Sequence, residues 1–215
     1  MHDAGPPAAA LAGVVLAAGG ARRMGGRPKA LIERDGLPLV RRVVLALVEA
    51  GVREVVVVLG HRADEVAAVL ADLAVNCVVN EAHAAGRVSS LRKGLAALGP
   101  DIDAVVVALA DQPLLEAADV SVLIHAYECR GASRGVVPRV AGVRGHPVIF
   151  DSRARDEILA RDAGFGARQW LDAHPAEVIW FDCENAHYVE DVDSPEDLRR
   201  IAQHYGRSMR WPGYA

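Results

Sequence analysis

Residues 16 to 31 read LAAGGARRMGGRPKAL, in which four glycines and four cations (Arg22, Arg23, Arg27 and Lys29) follow an apolar run. Glycines let backbone amides curve around an anion, and guanidinium and ammonium groups neutralise it, so the combination suits phosphate oxygens. Two familiar phosphate loops do not fit. The dinucleotide fingerprint GxGxxG is absent, and the Walker pattern fails because Lys29 comes late and no hydroxyl residue follows it. One reading is a loop of amides for a polyphosphate ligand; the other is that the glycines make turns and the arginines form a solvated surface. Asp111 closes the apolar run AVVVALA and is followed by Gln112 and Pro113. A carboxylate there suits Mg2+, which takes few carboxylates and shares its other positions with water and substrate phosphates. The alternative is a turn that caps the next helix.

The elements that position these groups are legible as periodicities. Continuous β-branched runs occur at 13–18, 54–60, 76–80 and 103–111, without the polar alternation of a half-exposed sheet. Helical patterns lie between them, from Leu39 to Ala50, Ala63 to Leu73 and Ser89 to Leu98. Strands alternating with helices predict an α/β fold, three-layered and doubly wound around a mostly parallel sheet, with the glycine loop and Asp111 at its carboxyl edge. Further on the sequence predicts a helix near 116–128, short strands in RGVVPRVAGVRGHPVIF, and a helix near 152–160. A short helix ARQWLDAH, strands EVIWFD and HYVED, and a closing helix capped at Ser194-Pro195 follow.

The 215 residues, 52% hydrophobic and 24% charged, read as one domain over 1–215, with loose ends at 1–10 and 209–215. A formal net charge of −4 argues against bulk binding to nucleic acid or an anionic membrane. Three scattered cysteines suggest neither a disulfide framework nor a zinc cluster, and the absence of a leader or spanning run adds to the expectation of a cytoplasmic protein. His61, His83, His125, His174 and His187 show no metal spacing.

The loop resembles the LAxGxSxRMGxxK signature of the MobA-like nucleotidyltransferases, the family of molybdenum cofactor guanylyl- and cytidylyltransferases. NEAHAAGRVSSLRKGL, LADQPLL, GVRGHPVIF, GARQWL and VEDVDSPEDL resemble later motifs of that family in the same order, and GVRGHPVIF is closest to the cytidylyltransferase branch. The resemblance spans roughly Val14 to Ile201 and implies a Rossmann-like nucleotidyltransferase fold. It implies that Leu16, Ala17, Ala18, Gly19 and Gly20 line the nucleotide, that Arg23 and Lys29 hold the triphosphate catalytically, and that Asp111 binds Mg2+. Asp193 would be a second metal-proximal carboxylate, or else an aspartate capping the last helix. Asn80 and Ser90 would contact the nucleotide, or serve as ordinary turn and N-cap residues. Arg144 and His146 would meet the acceptor's phosphate, or be structural or solvated.

The implied reaction moves CMP from CTP to the phosphate of molybdopterin or molybdenum cofactor with release of pyrophosphate. CTP is favoured because an LAAG opening goes with cytosine and LAGG with guanine: the Ala18 methyl disfavours the larger purine, an effect worth only ~1–3 kcal/mol. The sequence departs from the pattern at Ala21, where serine is usual, and at Arg87-Val88, where methionine and a small residue are common. These departures keep open GTP as donor and another phosphorylated acceptor such as a sugar phosphate. A non-catalytic nucleotide- or cofactor-binding protein serving a molybdoenzyme or its chaperone is the reading from a different class.

Overall fold

The computed structural model describes residues 9–20 and 22–213, with Arg22 described in its backbone alone. Expectations for residues 1–8, Ala21 and residues 214–215 lie outside these. The strands and helices in chain order are β1 (Leu11–Leu16), β2 (Glu33–Arg34), β3 (Leu37–Pro38), α1 (Leu39–Glu49), β4 (Glu54–Leu59), α2 (Ala63–Ala68), β5 (Asn76–Val79), α3 (Arg87–Ala96) and β6 (Ala104–Leu109). They continue with α4 (Ala117–Glu128), β7 (Gly135–Val140), β8 (Val143–Arg144), β9 (Val148–Asp151), α5 (Ser152–Ala160), α6 (Ala167–Ala173), β10 (Val178–Cys183), α7 (Pro195–Tyr205) and β11 (Met209–Arg210).

The main sheet has the order β10-β7-β9-β6-β1-β4-β5, with β8 paired to β7. Strands β1, β4, β5 and β6 are mutually parallel, β9 runs against both its neighbours, and β10 is parallel to β7. This is the mostly parallel, doubly wound α/β fold that the periodicities predict, with β6 in the middle of that order and β1 beside it.

Alternate residues of the central strands feed two cores, which is why these strands carry no polar face. Val15, Val57 and Val106 pack under α1 and α4 with Val43, Leu47, Leu123 and Tyr127. Val14, Val56, Val58 and Val107 pack on the other face against Leu91 and Leu95 of α3, Ile158 of α5 and Trp170 of α6. A third cluster joins Met24, Ile32, Leu39, Leu114, Val192 and Ile201, so α7 is seated against the segment carrying the glycine loop.

Three details differ from the sequence reading. The helix expected from Ala63 to Leu73 ends at Ala68, where Arg41 of α1 donates to the Val69 carbonyl at 2.9 Å and also grips Asp72. HYVED is no strand: Asn185 caps a single 3-10 turn at Ala186–Tyr188, and the Tyr188 carbonyl accepts from the His146 amide and the Gln112 side chain instead of a neighbouring strand. The expected loose end at 209–215 begins with a paired strand, since Met209 and Arg210 lie against Arg34 and Glu33 of β2. The cap at Ser194 is as expected, its hydroxyl accepting from the Asp197 amide at 3.2 Å.

Candidate active site

Strands β1, β4 and β6 end at one edge of the sheet, and their exits define the site. The Ala17 amide continues the ladder by donating to the Val58 carbonyl at 2.9 Å, after which the chain leaves the sheet through Ala18, Gly19 and Gly20. Gly60, at the exit of β4, lets this happen: a Cβ there would stand 2.8 Å from both the Ala18 carbonyl oxygen and the His83 Cβ. The result is a cavity of about 250 Å³ bordered by Leu16 to Gly20, Lys29, Ser90 and Asp111, and also by His83, Gly86 and Arg87. Gly19 and Gly20 face open space, so a ligand can reach their backbone.

Lys29 organises the polar floor. Its ammonium donates to Asp111 Oδ2 and to Asp193 Oδ1, each at 2.6 Å, and so ties the end of β6 to the turn before α7. Burial works against its charge, but the two carboxylates outweigh that and hold its pKa above the ordinary lysine value. Asp191 completes the acidic surroundings; its carboxyl is raised by burial and by Asp111 and Asp193. Arg23 is exposed, its guanidinium 3.9 Å from Asp193. Neither aspartate caps a helix in the way the alternative readings had it: Ser194 caps α7, and Glu116 with Asp119 closes a capping box on α4.

The described residues contain no cluster of three or more His, Cys, Asp or Glu arranged to hold a metal ion. Two carboxylates nevertheless converge on one cation, the Lys29 ammonium, which stands in for a charge at that point. A hard divalent ion held by Asp111 and Asp193 fits this donor set, provided that substrate phosphates and water supply the remaining oxygens.

Asn80 does not border the cavity. It is buried, donating to Ser89 Oγ at 2.9 Å and Ser90 Oγ at 3.0 Å while its own oxygen accepts from the Ala82 amide. It braces the turn that presents Ser90 and Arg87.

Arg144 and His146 border a second cavity, of about 760 Å³, with Val107, Val137, Val148 and Leu171 among its walls. Leu16 and Arg87 border both cavities, so the two meet there. Arg144 is engaged, bonding Asp172 at 2.6 Å and lying 4.8 Å from the Trp180 ring centre. Burial, together with nearby Arg87, lowers the His146 pKa to about 4 against an opposing pull from Asp111, so the ring is neutral near pH 7. Gln112, beside Asp111, donates at 3.1 Å to the carbonyls of His146 and Tyr188 and thereby links the two cavities. Sequence reasoning passed over His83, Asp191 and Gln112; the acidic spacing of VEDVD was the signal for Asp191.

A glycine loop and a lysine-bridged carboxylate pair at the edge of a parallel sheet define a nucleotide-handling α/β protein. Comparison with known proteins gives the family: the MobA-like NTP transferase domain matches residues 13–178, and the chain belongs to that family as a nucleotidyltransferase. The nicotine blue oxidoreductase of Paenarthrobacter nicotinovorans is 35% identical over 195 residues, 88% of this chain and 95% of that protein. The bifunctional protein GlmU of Clavibacter sepedonicus is 32% identical over 188 residues, 85% of this chain; the chain spans 38% of that protein's length. Among solved structures, Rv0371c of Mycobacterium tuberculosis H37Rv superposes with a TM-score of 0.76 at 28% identity, over 91% of this chain and 99% of the other. A manganese complex of Rv0371c superposes with a TM-score of 0.73 at 27% identity, over 91% of this chain and 99% of the other.

Proposed function

We propose that the chain transfers CMP from CTP to the phosphate of molybdopterin or molybdenum cofactor and releases pyrophosphate, using Mg2+. The observation that carries this is the meeting of Lys29, Asp111 and Asp193 beside an open glycine loop, at the junction with a second cavity. An acceptor phosphate oxygen attacks the α-phosphorus of CTP, a new P–O bond forms, and the bond to the β-phosphate oxygen breaks as pyrophosphate leaves. The attacking phosphate is already anionic near neutral pH, so positioning and charge neutralisation do the work and no general base is required. A Mg2+ ion on Asp111 and Asp193 would supply charge compensation to the phosphates. Lys29 stays protonated and follows the β- and γ-phosphates, Arg23 adds charge from the exposed side, and the amides of Gly19 and Gly20 bond phosphate oxygens. CTP is favoured because Ala18 borders the cavity, and Arg144 and His146 contact the acceptor.

The decisive experiment measures pyrophosphate release with each of the four nucleoside triphosphates, Mg2+ and molybdenum cofactor, then with a sugar phosphate as acceptor. Release with CTP and cofactor, lost in Asp111→Ala, is the expected result. A wild-type rate in Asp111→Ala removes the assignment of that residue, preference for GTP removes the Ala18 argument, release with the sugar phosphate alone redirects the acceptor, and tight binding without release favours a non-catalytic carrier serving a molybdoenzyme or its chaperone.

One observation favours a second reading: the relative whose length is 95% covered bears the name of an oxidoreductase. Reduction of nicotine blue, assayed with reduced nicotinamide nucleotides as hydride donors, tests it directly. A rate unaffected by Asp111→Ala would separate that chemistry from phosphoryl transfer.

A further inference from the structure

Arg87 is the first residue of α3 and follows Gly86, whose φ of 108° suits glycine. The turn before it is braced: Ser89 Oγ donates to the carbonyls of Gly86 and Ala82, and Asn80 holds Ser89 in turn. The side chain is exposed, borders both cavities, and makes no hydrogen bond or ion pair among the described residues. Its charge is felt by His146 on one side and Asp191 on the other. The other two arginines at the second cavity are placed differently, Arg144 bonded to Asp172 and Arg168 standing 3.9 Å from the same carboxylate.

We infer that Arg87 is a specificity-determining residue for the acceptor: its guanidinium grips the non-attacking oxygens of a phosphomonoester whose carbon skeleton lies on the apolar walls of the second cavity. A planar fork of donors suits a terminal phosphate, and a cation at the junction holds that phosphate against the α-phosphorus of a nucleotide in the first cavity. The assignment deepens the transfer function proposed above and rests on it, because only transfer calls for an acceptor phosphate at the junction.

The test uses binding, with phenyl phosphate as probe of the second cavity and CTP with Mn2+ as probe of the first. Calorimetry on the full chain compares wild type, Arg87→Met and Arg87→Lys. Expected are a loss of about tenfold in phenyl phosphate affinity in Arg87→Met, partial recovery in Arg87→Lys, and CTP affinity within about twofold throughout. Equal weakening of both probes would place Arg87 on the nucleotide and overturn the assignment, as would unchanged phenyl phosphate binding in Arg87→Met or its absence in wild type. A chain that binds phenyl phosphate through Arg87 yet releases no pyrophosphate with any acceptor counts against the transfer reaction alone.

Discussion

Lys29 occupies the space between Asp111 and Asp193 at 2.6 Å from each, so under the proposed function ammonium and a divalent ion would compete for the same two carboxylates. The competition has a direction. In the nucleotide-free chain, Lys29→Met is expected to raise Mn2+ affinity several-fold, read as the fall in the free-ion electron paramagnetic resonance signal, while CTP affinity drops by about tenfold. His146 provides a second residue-scale prediction. Its pKa in the folded chain is about 4 against 6.5 ordinarily, so the unfolded chain takes up the proton first as pH falls. The associated stability is therefore fully present above about pH 6.5 and is lost toward pH 4, and with a discount for its half-buried position the loss from pH 7 to 5 is about 1 kcal/mol. His146→Asn should flatten that part of the stability profile, measured as urea midpoints at the two pH values.

At the scale of elements, α3 sets the distance between the glycine loop and Arg87. It lies so close on the sheet that a Cβ at Gly94 would come 2.5 Å from Val14 Cγ1 and 2.8 Å from Val58 Cγ2. Gly94→Val must push the helix outward. The expected cost is about 1–3 kcal/mol by denaturant unfolding, with weaker binding of both phosphate probes because Ser90 and Arg87 move with the helix. Much of this layer was legible in the sequence, because fully covered strands need unbroken apolar runs and the loop between them needs glycine. The exceptions share a cause. The end of α2 is fixed by Arg41 from another helix, and the turn replacing HYVED by Gln112 and His146, partners that are distant in sequence. Asn80 carried the right residue type for a nucleotide contact, but its amide is spent on Ser89 and Ser90. Arg87 showed only as a departure from a motif; its position between two cavities exists once β1, α3 and β9 come together.

Across the whole molecule, the C-terminal segment closes back on the segment that carries the glycine loop. The Asp35 amide donates to the Ser208 carbonyl at 2.8 Å, β11 pairs with β2, and Arg27 of the glycine-rich stretch lies 5.7 Å from the Trp211 ring centre. Ending the chain after Gly206 removes these contacts and also takes Met209 and Trp211 from the cluster against which α7 packs. The shortened chain should lose at least ~1 kcal/mol of stability, the worth of a cation over an aromatic ring, measured by urea unfolding against the full chain. The chain's three tryptophans are distributed in a useful way: Trp170 is fully buried, Trp180 lies 4.8 Å from Arg144 of the second cavity, and Trp211 lies 5.7 Å from Arg27 of the glycine-rich stretch. The molecule thus carries its own optical labels. With the other two indoles replaced by phenylalanine, emission from Trp211 should respond to CTP and emission from Trp180 to the acceptor, so filling of the two cavities can be timed separately in one stopped-flow experiment.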